Sequence, residues 1–168
     1  MNMQDKVKVS AEDLIHLRRA IELALETEIQ GNVPVGSVIT LQGEVIAEGA
    51  NTMLMPQYNP IWHAEMTTLS KVPVELWPRA REMTCYSTLE PCIMCTSTLL
   101  LHGFGRVVFG SSDIDVGGTA ILSHLPRYYD GGNGVPEWNG PCLAEECDPL
   151  RQRVHERFAK MPVGSDNF

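Results

Sequence analysis

The stretch Met83–Gly110, MTCYSTLEPCIMCTSTLLLHGFGRVVFG, decides the fold. Met83 to Leu89 is a β-prone run, Cys92 to Leu101 is an apolar run of helical length, and Arg106 to Gly110, with Val107, Val108 and Phe109, is β-prone again. Strand, helix and strand in that order make a βαβ unit. Its crossover helix carries Cys92 and Cys95, so whatever chemistry the cysteines serve sits at one end of the sheet.

Upstream stands His63-Ala64-Glu65. One imidazole and two thiolates are a donor set for catalytic zinc, which takes three protein ligands and leaves a fourth position to water. Cys92 and Cys95 are spaced so that both can point one way from the first turn of a helix. Pro91 suits that start, because proline has no N–H to lose and its φ is already helical. Helix N-terminal N–H groups also favour thiolate over thiol. Glu65 is then free to act as general acid/base. Either half alone would be weak, since an isolated Cys-x-x-Cys also reads as a redox pair or half of a structural zinc site. Together, His-x-Glu and Pro-Cys-x-x-Cys spell the signature of zinc nucleobase deaminases.

Outward from this core, Ser10-Ala11-Glu12-Asp13 resembles a capping box, and Leu14, Leu17, Ile21, Ala24 and Leu25 follow at helical spacing, giving a helix over 11–29. Val33 to Leu41 and Glu44 to Glu48 read as a hairpin turning at Gln42-Gly43. Ala64 to Val72 continues as a second helix up to Pro73, with His63 at its first turn. Pro78, Arg79 and Glu82 mark a loop. Thr119 to Leu125 reads as a short helix and 126–141 as a long aromatic, glycine-rich loop. Asp148-Pro149 supplies an N-cap and first position for a last helix over 149–160, with Leu150, Val154 and Phe158 on one face. The economical architecture is an α/β fold, a three-layer α/β/α sandwich around a mixed sheet, as a single domain over 1–168 with its zinc-site core at 33–115.

The 168 residues suffice for one domain, and 43% hydrophobic with 20% charged residues is the composition of a soluble globular protein. No apolar run approaches the roughly 20 residues that cross a bilayer. Nothing at the start resembles a signal peptide, and Cys85, Cys142 and Cys147 show no disulfide framework; a cytoplasmic location is expected. A net charge of −8 argues against broad affinity for nucleic acid. A local basic run, Arg151, Arg153, Arg157 and Lys160 against Glu156, stands near the C-terminus; a solvated helix face is the ordinary reading of such a run.

With these residues assembled, the chain resembles the cytidine deaminase-like superfamily. Val-Pro-Val-Gly at 33–36, Gly49 with Asn51, His-Ala-Glu at 63–65, Thr-Leu-Glu-Pro-Cys-Ile-Met-Cys at 88–95 and Arg-Val-Val-Phe-Gly at 106–110 are similar to bacterial tRNA adenosine deaminases and to cytosine and guanine deaminases. The resemblance covers about half the chain, from Val33 to Asp115. It implies zinc on His63, Cys92 and Cys95, catalysis by Glu65, and a homodimer. It further implies that Asn51 hydrogen-bonds the bound base, that the Ala64 N–H faces its reacting edge, and that Asp113 lies near the substrate backbone. A turn role is the alternative for Asn51 and for Asp113; Trp62 either stacks in the pocket or belongs to the core or a surface loop. Thr96-Ser97-Thr98-Leu99 departs from the small residues common in tRNA deaminases, and the loop from Tyr128 to Trp138 has no counterpart.

The expectation is therefore hydrolytic deamination. A free base or nucleoside is the first substrate reading, because a −8 chain must hold a polyanion through one local patch and Tyr128, Tyr129 and Trp138 could close over a small ligand. The alternative is deamination of adenosine in a tRNA anticodon loop. A non-catalytic zinc scaffold is remote, since a structural site needs no free carboxylate beside its metal.

Overall fold

A computed structural model describes residues 9–161. Five strands form one mixed sheet in the order β2-β1-β3-β4-β5: β1 Gly36–Leu41, β2 Glu44–Ala50, β3 Met83–Leu89, β4 Arg106–Ser111 and β5 Glu137–Asn139. β1 pairs antiparallel with β2 and β3, while β3–β4 and β4–β5 are parallel. Helix α1, Ala11–Ile29, starts from a complete capping box in which Ser10 and Asp13 satisfy one another's backbone N–H groups. Helices α2, Ala64–Leu69, and α3, Ile93–Leu101, follow, and α4 spans Ala144–Ala159.

Strand alternation sorts the core into two layers. Ile39, Leu41, Met83, Cys85 and Val107 pack with Leu69 of α2, with Val72 just beyond it and with Leu99 of α3 on one face. Val38, Tyr86 and Val108 pack with Leu17 and Ala20 of α1 on the other, where Gly110 abuts Cys147 of α4. This is the expected α/β/α sandwich. Gly36 is what lets α1 lie close, because a Cβ there would fall 1.9 Å from the Ala20 carbonyl oxygen. Arg18–Glu146 at 2.8 Å and Arg153–Glu28 at 2.7 Å tie α1 to α4.

Three segments differ from the sequence reading. Val74–Glu82 forms 3-10 turns rather than a loop, with Pro78 inside them. The aromatic stretch 126–141 contains 3-10 turns at Arg127–Gly132 and the edge strand β5, fixed by pairing to β4 and by Trp138 packing on Phe109, with ring centroids 6.0 Å apart. The last helix begins at Ala144, so Pro149 lies inside it. Asp148 does not cap: its carboxylate accepts the Ser111 hydroxyl, and the Leu143 carbonyl takes the Glu146 and Cys147 N–H groups that open the helix. Among the described residues no helix is long and apolar enough to cross a membrane.

Candidate active site

His63 and Cys92 occupy equivalent positions, each the extended residue immediately before a helix. Pro91 therefore sits one residue outside α3 rather than at its first position; its carbonyl accepts Gly118 N–H at 2.7 Å and the Thr96 hydroxyl at 3.0 Å, which anchors the cysteine turn. Glu90 adds a second anchor. Its buried carboxylate accepts the N–H groups of Asp113 and Thr119, both at 3.0 Å, drawing the loop after β4 against the turn.

The result is a triangle of donor atoms. His63 Nδ1 lies 3.4 Å from Cys92 Sγ and 3.8 Å from Cys95 Sγ, and the two sulfurs are 3.6 Å apart. Zn–S bonds of about 2.3 Å and Zn–N bonds of about 2.0–2.1 Å at tetrahedral angles require edges of about 3.8 Å between sulfurs and about 3.6 Å between sulfur and nitrogen. The three atoms fit one zinc ion. The contact with Cys95 and then that with His63 pull the Cys92 thiol down to about 4 against its burial, and Cys95 is pushed well up by its partner thiol and by burial. A zinc ion held here would bind both sulfurs as thiolates.

Glu65, on the first turn of α2, is 4% exposed. Burial raises its pKa and the adjacent Cys92 raises it further; the Ser87 hydroxyl, 2.7 Å from Oε1, and His63 work the other way. Glu65 is thus a buried acid beside the metal triangle, poised to hold a proton. Sequence reasoning missed Ser87. The available signal was strand alternation, which sets a lone hydroxyl at 87 on the face that Glu65 approaches.

The remaining predicted residues are held by other partners. Asn51 is 3% exposed, and its Oδ1 accepts Met53 N–H at 3.0 Å in a turn, while Thr27 donates to its carbonyl at 2.7 Å. Asp113 is 3% exposed and its Oδ1 accepts the N–H groups of Asp115 and Val116, with His155 Nε2 3.4 Å from Oδ2. Trp62 is 44% exposed and borders a cleft with Thr52, Met66 and Thr67. Ala64 is fully buried as the first residue of α2. The basic run of α4 is partly spent: Arg153 pairs with Glu28, Arg157 donates to the Gly31 carbonyl at 2.8 Å, and Arg151 lies 3.7 Å from Asp148.

A mixed α/β/α sandwich with a His-Cys-Cys triangle and a buried glutamate beside it defines a zinc-dependent hydrolytic deaminase. Residues 10–111 match the family "Cytidine and deoxycytidylate deaminase zinc-binding region", and the chain belongs to it. It is 35% identical over 151 residues to the tRNA-specific adenosine deaminase of Bacillus subtilis (strain 168), covering 89% of this chain and 92% of that one. Its likeness to the Haemophilus influenzae enzyme of the same name is 36% over 159 residues, covering 93% and 89%. The cytosine deaminase of Candida albicans is 33% identical over 107 residues, covering 63% and 71%. Among solved structures, one from studies of A-to-I editing by tRNA:A34 deaminases shares the fold at a TM-score of 0.66 and 24% identity, covering 82% of this chain and 99% of that one.

Proposed function

We propose that the protein is a tRNA adenosine deaminase, converting the 6-amino group of an anticodon-loop adenosine to a carbonyl with release of ammonia. The observation that carries this reading is the extent of likeness: the two bacterial tRNA-specific relatives match across about nine tenths of this chain, well beyond the zinc-binding region that ends at residue 111. The free-base or nucleoside reading takes second place, because the cytosine deaminase match covers a smaller share. The net charge that favoured a small substrate is a whole-chain average. It does not weigh against one local contact surface.

His63, Cys92 and Cys95 would hold zinc, which when bound lowers the pKa of a coordinated water so that a nucleophile is available near neutral pH. Glu65 would accept one proton of the attacking water and deliver it to the ring nitrogen beside the reacting carbon, where it stays, and would then carry the second proton from the newly added hydroxyl to the departing amine. Water and the aromatic amine thereby yield carbonyl and ammonia. Asn51, whose oxygen is spent on Met53, would offer its amide N–H groups to the base; Ala64 N–H would face the reacting edge, and Trp62 and Asp113 would contact the nucleotide and its backbone. A cytoplasmic homodimer is part of the proposal.

The test is an ammonia-release screen over an adenosine-bearing anticodon stem-loop, free adenine, cytosine, guanine and their nucleosides, with metal analysis alongside. Release from the stem-loop with inosine formation is expected, together with about one zinc per chain that Cys92→Ser loses. Release from a free base or nucleoside, with none from the stem-loop, overturns the tRNA assignment. Undiminished zinc in Cys92→Ser overturns the ligand assignment.

A further inference from the structure

We infer that Ser87 is a positioning residue for the reaction, fixing the catalytic carboxyl through a hydrogen bond from the middle of the sheet. The inference rests on Glu65 being the proton carrier. Ser87 is fully buried on β3, paired with Ser37 of β1 and Phe109 of β4. On its face of the strand Cys85 is a fully buried thiol in an apolar cluster and Leu89 a partly buried leucine, while the hydroxyl of the facing Ser37 lies against the Cys85 sulfur, 3.7 Å away. A hydroxyl in such a place costs free energy unless it is hydrogen-bonded, and a β-branched apolar residue would pack the strand better. Its hydrogen bond is the 2.7 Å donation to Glu65 Oε1.

The reaction gives that bond its purpose. The terminal torsion of a glutamate is broad and roughly two-fold, so burial alone does not set the carboxyl plane. Glu65 has to carry two protons in turn from the attacking oxygen to two different nitrogens within a single turnover, which requires one oxygen to keep its aim. Among the described residues no lysine or arginine pairs with Glu65 to do this. An arginine would also hold the group ionised, whereas a neutral hydroxyl restrains Oε1 and still allows the carboxyl to gain and lose its proton. Ser87 thus aims the carboxyl, leaving Oε2 to exchange the proton.

The test compares wild type with Ser87→Ala, Ser87→Gly and Ser87→Thr on whichever substrate releases ammonia, with Glu65→Gln as the control. Both variants lacking the hydroxyl are expected to lose about 10–100-fold in kcat, with KM within about two-fold. Zinc content and thermal midpoint should stay near wild type, and Ser87→Thr should recover most of the loss. Wild-type kcat in Ser87→Ala, or a loss that follows KM or zinc content, overturns the inference. So does a folded, zinc-loaded Ser87→Thr as slow as Ser87→Ala. If Glu65→Gln itself turns over normally, the proton-carrier reading fails; if Glu65→Gln is inactive and Ser87→Ala is unimpaired, only the role of Ser87 fails.

Discussion

Two carboxyl groups are buried on opposite faces of the same strand, and they are treated in opposite ways. Below β3, Tyr86 donates to Asp13 at 2.9 Å, and Arg106 grips both carboxylate oxygens in a fork. Burial alone would raise the pKa of Asp13, but donation by Arg106, the Ser10 N–H and Tyr86 outweighs it and holds the group far below the usual carboxylate range. Above β3, Glu65 meets the neighbouring residue, Ser87, and burial, with the nearby Cys92, moves its pKa up. A paired carboxylate is a permanent charge and can fasten α1 to β4. An unpaired one can change protonation state, which a hydrolytic step needs. The same strand therefore separates a fastening from a reaction centre by the alternation of adjacent side chains.

The largest effect that can test this contrast is on turnover. Glu65→Gln keeps the shape and an acceptor for Ser87 but removes the proton carrier, so kcat should fall by about 100- to 10,000-fold while zinc stays near one per chain. Stability should hold or rise, because a buried ionisable group without a cationic partner is gone. A turnover within a few-fold of wild type would erase the distinction between the two faces.

Next in size is the fastening. Arg106→Met leaves Asp13 buried and unpaired, and breaking such a pair costs about 3–5 kcal/mol. Arg106 keeps 22% of its side chain exposed, so the lower end is expected, about 3 kcal/mol and a fall of roughly 6–12 °C in midpoint. What remains folded should retain wild-type kcat. Calorimetry showing no fall would reduce the fork to a surface contact.

The contrast also explains what could be read from the sequence. The βαβ unit and the capping box were legible because each is written in neighbouring residues: apolar runs bounded by turn formers, and Ser10 three places before Asp13. The metal triangle was legible because its donor types are few and their spacing is restrictive. Asp13 was visible as a cap, but nothing local announces that Arg106, far along the chain, and Tyr86 would also converge on it. Strand alternation sets the face of Ser87, but its partner was illegible for the same reason: Glu65 is 22 residues away across a helix–sheet contact. β5 is three residues long, and its pairing with β4 rather than its own propensity makes it a strand. At Asp148-Pro149 local propensity misled, because Ser111 claims the aspartate that would have capped.

The smallest expected effect is the acid dependence of the fastening, and its sign follows from the direction of the shift. The folded pKa of Asp13 lies below the unfolded value of about 3.9, so the folded state binds the proton less readily than the unfolded chain. The stabilisation is fully present above the unfolded value and is lost as pH falls from there through the folded value. Other carboxylates, and release of a metal from protonated ligands, also weaken the protein in acid, so the absolute curve is not diagnostic. The difference between wild type and Asp13→Asn is, because both chains share those other losses. Urea unfolding at pH 6, 5, 4 and 3 should give a gap that is constant down to about pH 5 and then narrows, approaching a slope of about 1.4 kcal/mol per pH unit below pH 4. A gap that stays flat to pH 3 would mean that Asp13 titrates alike in both states, and that the Arg106 fork does not distinguish this carboxylate from an exposed one.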